Sequence, residues 1–352
     1  MPFNSKHSHI GLGPPAPSRR QFTLGLLGML AAPLALADGP LRIKLGTLLP
    51  KGSAYHRALQ DMGEVFRNAQ GAGSAFTIYT DGSQGSEADV VRRMRVGQLN
   101  AALMSVIGLS EIDAAVNSLQ KMPMVFRSWE EIDFVGQTLR PAIERRFRDK
   151  GFVVALWAEA GWVRFFCKQS AVRPEDLKPR RMFAWAGDNE QVELMKGLGF
   201  RPVVLETADI IPGLQTGLID TVAVTPMWAL ATQLDRLAPH MIDVKWAPIV
   251  GALVFTLPAW EAMTPAARSA VQQSAHQAVP ELRAYQTRAD AEAITVMEQR
   301  GLKVQRLGAA ETQAWEALAQ SAYPLIRGRM VPEDGFDATL RLVAQFRRES
   351  QR

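Results

Sequence analysis

Cys167 is the sole cysteine among 352 residues, and it follows Phe165-Phe166. A nucleophilic thiolate needs an electropositive, accessible setting, so this apolar flank predicts an inert core thiol. One cysteine also excludes an internal disulfide and a multi-cysteine zinc site. The five histidines are His7, His9, His56, His240 and His276, and only the first two are closely spaced, so no histidine-based metal centre is expected. Gly82-Ser83-Gln84-Gly85 has the wrong spacing for a Gly-x-Ser-x-Gly nucleophile elbow. Neither glycine-rich phosphate motif, Gly-x-Gly-x-x-Gly or Gly-x-x-x-x-Gly-Lys-Ser/Thr, occurs. The adjacent acids Glu130 and Glu131 fall in a charged stretch where solvation explains them. No residues with catalytic, metal-binding or cofactor-binding spacing remain, and the expectation is a protein that performs no chemistry.

The composition, 47% hydrophobic and 21% charged, is that of a globular chain, and its length suits about two domains. Residues 1–37 carry Lys6, Arg19 and Arg20 without an acid, then an apolar run from Leu24 that closes on Ala35-Leu36-Ala37. This reads as an export signal cleaved after Ala37. Pro33 interrupts a run already short of the ~20 residues a membrane span requires. Ser18-Arg19-Arg20-Gln21-Phe22-Thr23 is similar to the twin-arginine motif, which leaves that route and the general secretory route both open. The mature chain has interspersed charges and no basic tract, which argues against nucleic-acid binding and places a soluble protein outside the cytoplasm.

The elements that must position any site follow a repeated order. An alternating strand at 41–46 leads to a helix at 55–70, a strand at 76–79, a helix at 87–96 and a buried strand at 99–104. The order returns as strand 181–185, helix 189–197, strand 203–205, helix 207–216 and strand 219–224, which predicts two α/β lobes. A local echo supports the repeat. Val96-Gly97-Gln98-Leu99-Asn100 aligns with Thr216-Gly217-Leu218-Ile219-Asp220, and the strands that follow end at Ser105 and Thr225. Such strand ends are where open α/β sheets bind ligands, so facing lobes would enclose a cleft. The last third is helical: 264–300 with Pro280 breaking or kinking it, a short strand at 302–307, then helices at 310–326 and 337–349. Glu87 and Asp209 stand at helix starts, where a carboxylate caps backbone N–H groups.

Further motifs carry a resemblance. Gly82-Ser83-Gln84-Gly85-Ser86-Glu87, Met122-Pro123-Met124-Val125-Phe126, Arg173-Pro174-Glu175-Asp176-Leu177-Lys178, Leu214-Gln215-Thr216-Gly217-Leu218-Ile219-Asp220, and Trp260 before Thr264-Pro265 occur in this order. Over 41–345 the chain resembles the extracytoplasmic solute receptors of TRAP (tripartite ATP-independent periplasmic) transporters, of the dicarboxylate- and sialic-acid-receptor type. The resemblance implies a periplasmic two-lobe α/β binding-protein fold with a hinged ligand cleft and a helix-rich C-terminal part tying the lobes together. It implies lobe I at 41–160 plus about 250–288 and lobe II at 161–249 plus about 289–345. It further implies a small-molecule ligand, a membrane permease as partner and no cofactor; a monomer is expected.

Departures from the family pattern bear on the ligand. Phe183 stands where the family carries an arginine that forks onto the ligand carboxylate, and a phenyl ring cannot replace a guanidinium. Asp220-Thr221-Val222-Ala223-Val224-Thr225 replaces a more polar run, and Ile211 stands where Tyr is common. By the resemblance, Trp162, Phe183, Trp185 and Trp228 lie at the cleft, each as wall or as core. Arg164 matches a second family arginine, as ligand contact or structural ion pair, and Tyr55 and His56 sit in a ligand-touching loop. With Ser105 and Thr225 these are the candidate binding residues. They point to an apolar or aromatic body, including a monocarboxylate held by Arg164. An exported enzyme using the cleft and a sensory binding protein stay open as alternatives.

Overall fold

The computed structural model describes residues 40–351; the expected export signal and its cleavage site lie outside them. The chain opens with β1 (Arg42–Thr47), α1 (Ala54–Gln70), β2 (Ala75–Tyr79), α2 (Glu87–Arg95), β3 (Ala101–Ser105) and α3 (Val106–Ser110). Tyr55, Leu59, Met62 and Phe66 recur at helical spacing on α1 and are buried, while Ser53 caps its first turn by accepting the His56 N–H. α4 (Trp129–Asp149) then leads into the long strand β4 (Phe152–Trp162). A second layer follows with β5 (Arg164–Cys167), α5 (Pro174–Leu177), β6 (Arg181–Trp185), α6 (Asn189–Gly197) and β7 (Arg201–Leu205). It continues through α7 (Ile210–Thr216), β8 (Thr221–Val224), α8 (Pro226–Ala231) and β9 (His240–Ile242). The chain returns along β10 (Pro248–Thr256) and α9 (Leu257–Glu261), then runs through α10 (Pro265–Gln299), β11 (Lys303–Gln305), α11 (Ala309–Ile326) and α12 (Glu333–Glu349).

Two mixed sheets result, ordered β2-β1-β3-β10-β4 and β11-β9-β5-β8-β6-β7, which make a two-lobe α/β fold. The repeat seen in the sequence is a repeat of topology. β2-β1-β3 and β7-β6-β8 are parallel units, each flanked beyond its third strand by an antiparallel neighbour, β10 or β5. The echoed residues do the same work in both. Gly97 and Gly217 each follow a helix at φ +75°, the left-handed region that costs an L side chain roughly 1–2 kcal/mol. The Asn100 N–H donates to the Lys44 carbonyl on β1, and the Asp220 N–H to the Arg181 carbonyl on β6. Their own carbonyls accept from Thr256 and Lys168, beside the antiparallel neighbours. The echo therefore joins three strands in each lobe.

Three segments cross between the layers. β4 passes through Val163 into β5, and residues 243–247 return from β9 to β10; the Val163 N–H donates to the Ala247 carbonyl at 2.9 Å and the Trp246 N–H to the Val163 carbonyl at 3.2 Å. α10 is the third. It runs unbroken through Pro280 and packs on α1 and β4 toward one end and on α8 toward the other. A buried pair, Lys121 Nζ to Asp188 Oδ1 at 2.9 Å, adds a polar tie. The C-terminal helices pack on both layers, with Ala322 and Ile326 of α11 in the core that also holds Ile132 and Phe336. α11 also contacts α5 and α6, and α12 packs on α4. The reason is apolar: Phe336, Leu342 and Val343 fill the core that holds Ile132 and Val135. Arg347 reinforces it by bonding the buried Glu131 at 2.7 Å.

Candidate functional site

β6 ends in an aromatic pair. Phe183 is 4% exposed and belongs to the second lobe's core, with the Trp185 ring 4.7 Å away at 79°. Trp185 and Trp228 are half-buried against the same core, so they, rather than Phe183, carry the accessible aromatic surface. Trp162, at the end of β4, is buried against Trp129 with ring centres 5.1 Å apart. The Lys245 ammonium lies 5.3 Å from the Trp162 ring centre. Burial, then the charge of Arg164, lowers the pKa of that lysine.

Arg164 begins β5 opposite Val224, one residue before Thr225. Its guanidinium is an ion-pair partner: Nε donates to Asp243 Oδ1 at 2.9 Å, and Nη1 reaches the Trp162 carbonyl at 3.4 Å. Thr225 occupies the N-cap position of α8 without a side-chain cap bond. Asp290 of α10 serves instead, accepting from the Met227 N–H and the Trp162 N–H, each at 3.4 Å. Gly161 permits this approach, since a Cβ there would lie 2.5 Å from Asp290 Oδ2. Burial raises the Asp290 carboxyl above the usual range, against those two hydrogen bonds. Arg164, Trp162 and Thr225 thus meet where the layers cross, and Phe183, Trp185 and Trp228 share the adjoining core. Among the described residues, no hydrogen bond joins them to Tyr55, His56 or Ser105.

Those three residues hold the first lobe together. The Tyr55 hydroxyl donates to the Glu159 carbonyl at 2.6 Å, and burial pushes its pKa up to about 12. His56 Nδ1 accepts the Gly52 N–H and closes the loop before α1. Ser105 caps α3 by accepting the Ile107 N–H. Glu87 does not cap its own helix, because the Ser86–Asp89 capping box already does so. It reaches across to the start of α3, accepting from the Ser105 N–H at 2.7 Å, the Ser105 hydroxyl at 2.6 Å and the Gly108 N–H at 2.8 Å. Burial holds its carboxyl above the usual range against the pull of these bonds. Each oxygen faces a backbone N–H, so either orientation of a glutamine amide sets NH2 against a donor. Glu87→Gln should therefore cost about 1–3 kcal/mol of stability, read as a lowered urea midpoint. Asp209 makes no side-chain cap bond. Cys167 is buried, with its thiol pushed up to about 11, mainly by burial, which suits a core residue.

Asp243, Lys245 and Asp290 were invisible to sequence reasoning. Asp243 lies in an irregular crossing with no periodicity to flag it. Asp290 follows Arg283 and Gln286 at a spacing that reads as a solvated helix face. The structure turns that face inward instead, with Gln286 only 2% exposed.

Two mixed α/β layers are joined by crossing strands and a long helix, with aromatic and charged groups at the crossing. Residues 45–327 match the model for bacterial extracellular solute-binding protein, family 7 (DctP), and the chain belongs to that family, the receptors of TRAP transporters. A solute-binding protein of Roseobacter denitrificans is 25% identical over 194 residues, which cover 54% of this chain and 58% of that protein. An uncharacterized protein of Salmonella typhimurium, YiiZ, is 24% identical over 167 residues, 46% of this chain and 50% of that one. The chain thus aligns with only about half the length of these relatives. Among solved structures, a TRAP periplasmic solute-binding protein from Ralstonia eutropha with bound (S)-2-acetolactate superposes with a TM-score of 0.79 at 21% identity, covering 86% of this chain and 99% of that one. One from Shewanella oneidensis with bound succinate gives 0.78 at 14% identity, covering 87% and 100%. These likenesses establish the fold.

Proposed function

We propose that this chain is exported behind a leader cleaved after Ala37, works as a monomer, captures one small organic solute between its lobes and delivers it to a TRAP-type permease. The lobes would close about the crossings at 161–164 and 243–248, and no bond in the solute would be made or broken. The solute has an apolar or aromatic body and one polar end that faces Arg164, a monocarboxylate being one such end. The observation that carries this is the end of β6, where buried Phe183 backs the partly exposed Trp185 and Trp228. A dicarboxylate without a forked arginine leaves a desolvated carboxylate poorly paired, at roughly 3–5 kcal/mol. An apolar body gains ~25 cal/mol for each Å² it buries.

Native mass spectrometry on protein purified from its own cell envelope identifies the resident solute, and calorimetry ranks competitors. Succinate-like acids should bind at least roughly a hundredfold more weakly than that solute, since ~1.4 kcal/mol is a factor of ten. Micromolar succinate binding that survives Arg164→Ala would overturn the assignment.

A further inference from the structure

Arg164 is 8% exposed and fixed by strand pairing opposite Val224, so its guanidinium cannot swing far to meet a ligand. Nε is taken by Asp243, Nη1 makes a long bond to the Trp162 carbonyl, and Nη2 has no hydrogen bond among the described residues. A guanidinium recognises a carboxylate best through two parallel N–H bonds from one edge, with the charges of the two groups cancelling. Here a carboxylate of the chain itself occupies Nε and supplies that cancellation. Asp243 is held in place, since its N–H donates to the Gln305 carbonyl at 3.0 Å beside the β9–β11 pairing. Its side chain is 37% exposed, so it stands on the accessible side of the buried arginine. The second cation at the crossing, Lys245, donates to the Arg127 carbonyl at 3.2 Å and has Asp243 and Glu130 as its nearby acids, while the Asp290 carboxyl, which accepts from the Trp162 N–H, adds a further acid beside Arg164. The crossing is balanced before any solute arrives.

We infer that Asp243 is a specificity-determining residue. By neutralising Arg164 and occupying Nε, it removes the Nε–Nη2 edge from two-point carboxylate binding, leaves Nη2 for the solute and selects an uncharged acceptor, a carbonyl or hydroxyl, over a carboxylate. The inference rests on the aromatic-bodied reading above and chooses among the polar ends that reading allows.

The test uses matched pairs that differ only at the polar end: phenylacetamide with phenylacetate, and indole-3-acetamide with indole-3-acetate. Binding to the mature protein is followed by calorimetry and tryptophan fluorescence. The wild type should prefer each amide over its acid by roughly tenfold or more. Asp243→Asn keeps the Nε acceptor and removes the charge, and Asp243→Ala removes both. Either variant that retains the wild-type melting temperature should strengthen acid binding by roughly tenfold and leave amide binding within about threefold. Probes that bind with an acid-to-amide ratio unmoved by both variants overturn the role of Asp243 alone. A wild type that already prefers the acids does the same. If no probe binds any of the three proteins, the aromatic-bodied reading falls, and this inference with it.

Discussion

Trp315→Ala should remove about 3–5 kcal/mol of stability, the scale for truncating a fully buried tryptophan. The α11 side chain is 0% exposed. Its ring stacks on Phe165 of β5 at 5.1 Å and 24°, and meets the edge of Trp246 at 5.7 Å and 72°. Its indole N–H donates to the Val172 carbonyl at 2.8 Å, so truncation leaves a cavity and an acceptor without a partner. The loss reaches the candidate site. Phe165 adjoins Arg164, and Trp246 lies in the crossing that also carries Asp243. The variant should therefore weaken solute binding although no ligand group touches Trp315. Trp315→Phe retains most of the ring contact and loses the N–H, so it should cost about 1–3 kcal/mol. Urea unfolding with an unchanged m-value measures both. Equal costs for the two variants would mean that the hydrogen bond, and not the packing, carries the residue's contribution.

How much of this was legible in the sequence depends on the range over which each feature is determined. The two parallel units were readable because their causes are local: the alternation at 76–79, the glycines at 97 and 217, and the Asn100 and Asp220 that follow them. The crossing strands were not. Phe152-Val153-Val154-Ala155-Leu156-Trp157 and Ile249-Val250-Gly251-Ala252-Leu253-Val254-Phe255 are paired with each other, the first at least partly covered on both faces and the second largely buried, so they lack the alternation that marks a half-exposed strand. The apolar face of α12 was readable, but periodicity says that a helix packs and not upon what. Glu87 was misread for a similar reason. Position near a helix start suggests a cap, yet Asp89 two residues on satisfies α2 and frees Glu87 for a partner 18 residues away. The candidate site is the extreme case. The partner of Arg164 is 79 residues distant, on a segment with no regular structure, and only the pairing of β5 with β9 brings the two together.

Arg283→Met should likewise cost about 3–5 kcal/mol at neutral pH, because it breaks a partly buried ion network by removing its centre. Arg283 of α10 bonds Glu159 of β4 at 2.7 Å through Nε and at 2.6 Å through Nη2, and it also holds Asp133 of α4. Glu159 is only 6% exposed, whereas Arg283 and Asp133 each keep about a third of their side chains in solvent, so the orphaned Glu159 dominates the loss. Arg140, 3.8 Å from Glu159, does not hydrogen-bond it, and its own Nε and Nη2 lack partners. The damage reaches the contact between β4 and α1, since the Glu159 backbone also anchors the Tyr55 hydroxyl. Burial already raises the Glu159 carboxyl above its usual range, with Arg283 pulling it down. Losing that pull raises it further, so between the ordinary carboxylate value and the raised one the folded variant binds more protons than the unfolded chain. Stability then falls as pH rises through that window. The deficit relative to wild type should be small near the usual carboxylate range and full at neutral pH. Arg283→Met combined with Glu159→Gln should recover much of the loss and flatten the pH dependence, because no buried charge is left without a partner. Urea melts of the three proteins across that pH range decide it: a deficit that does not vary with pH would show that Arg283 contributes through its packing against β4, not through its charge.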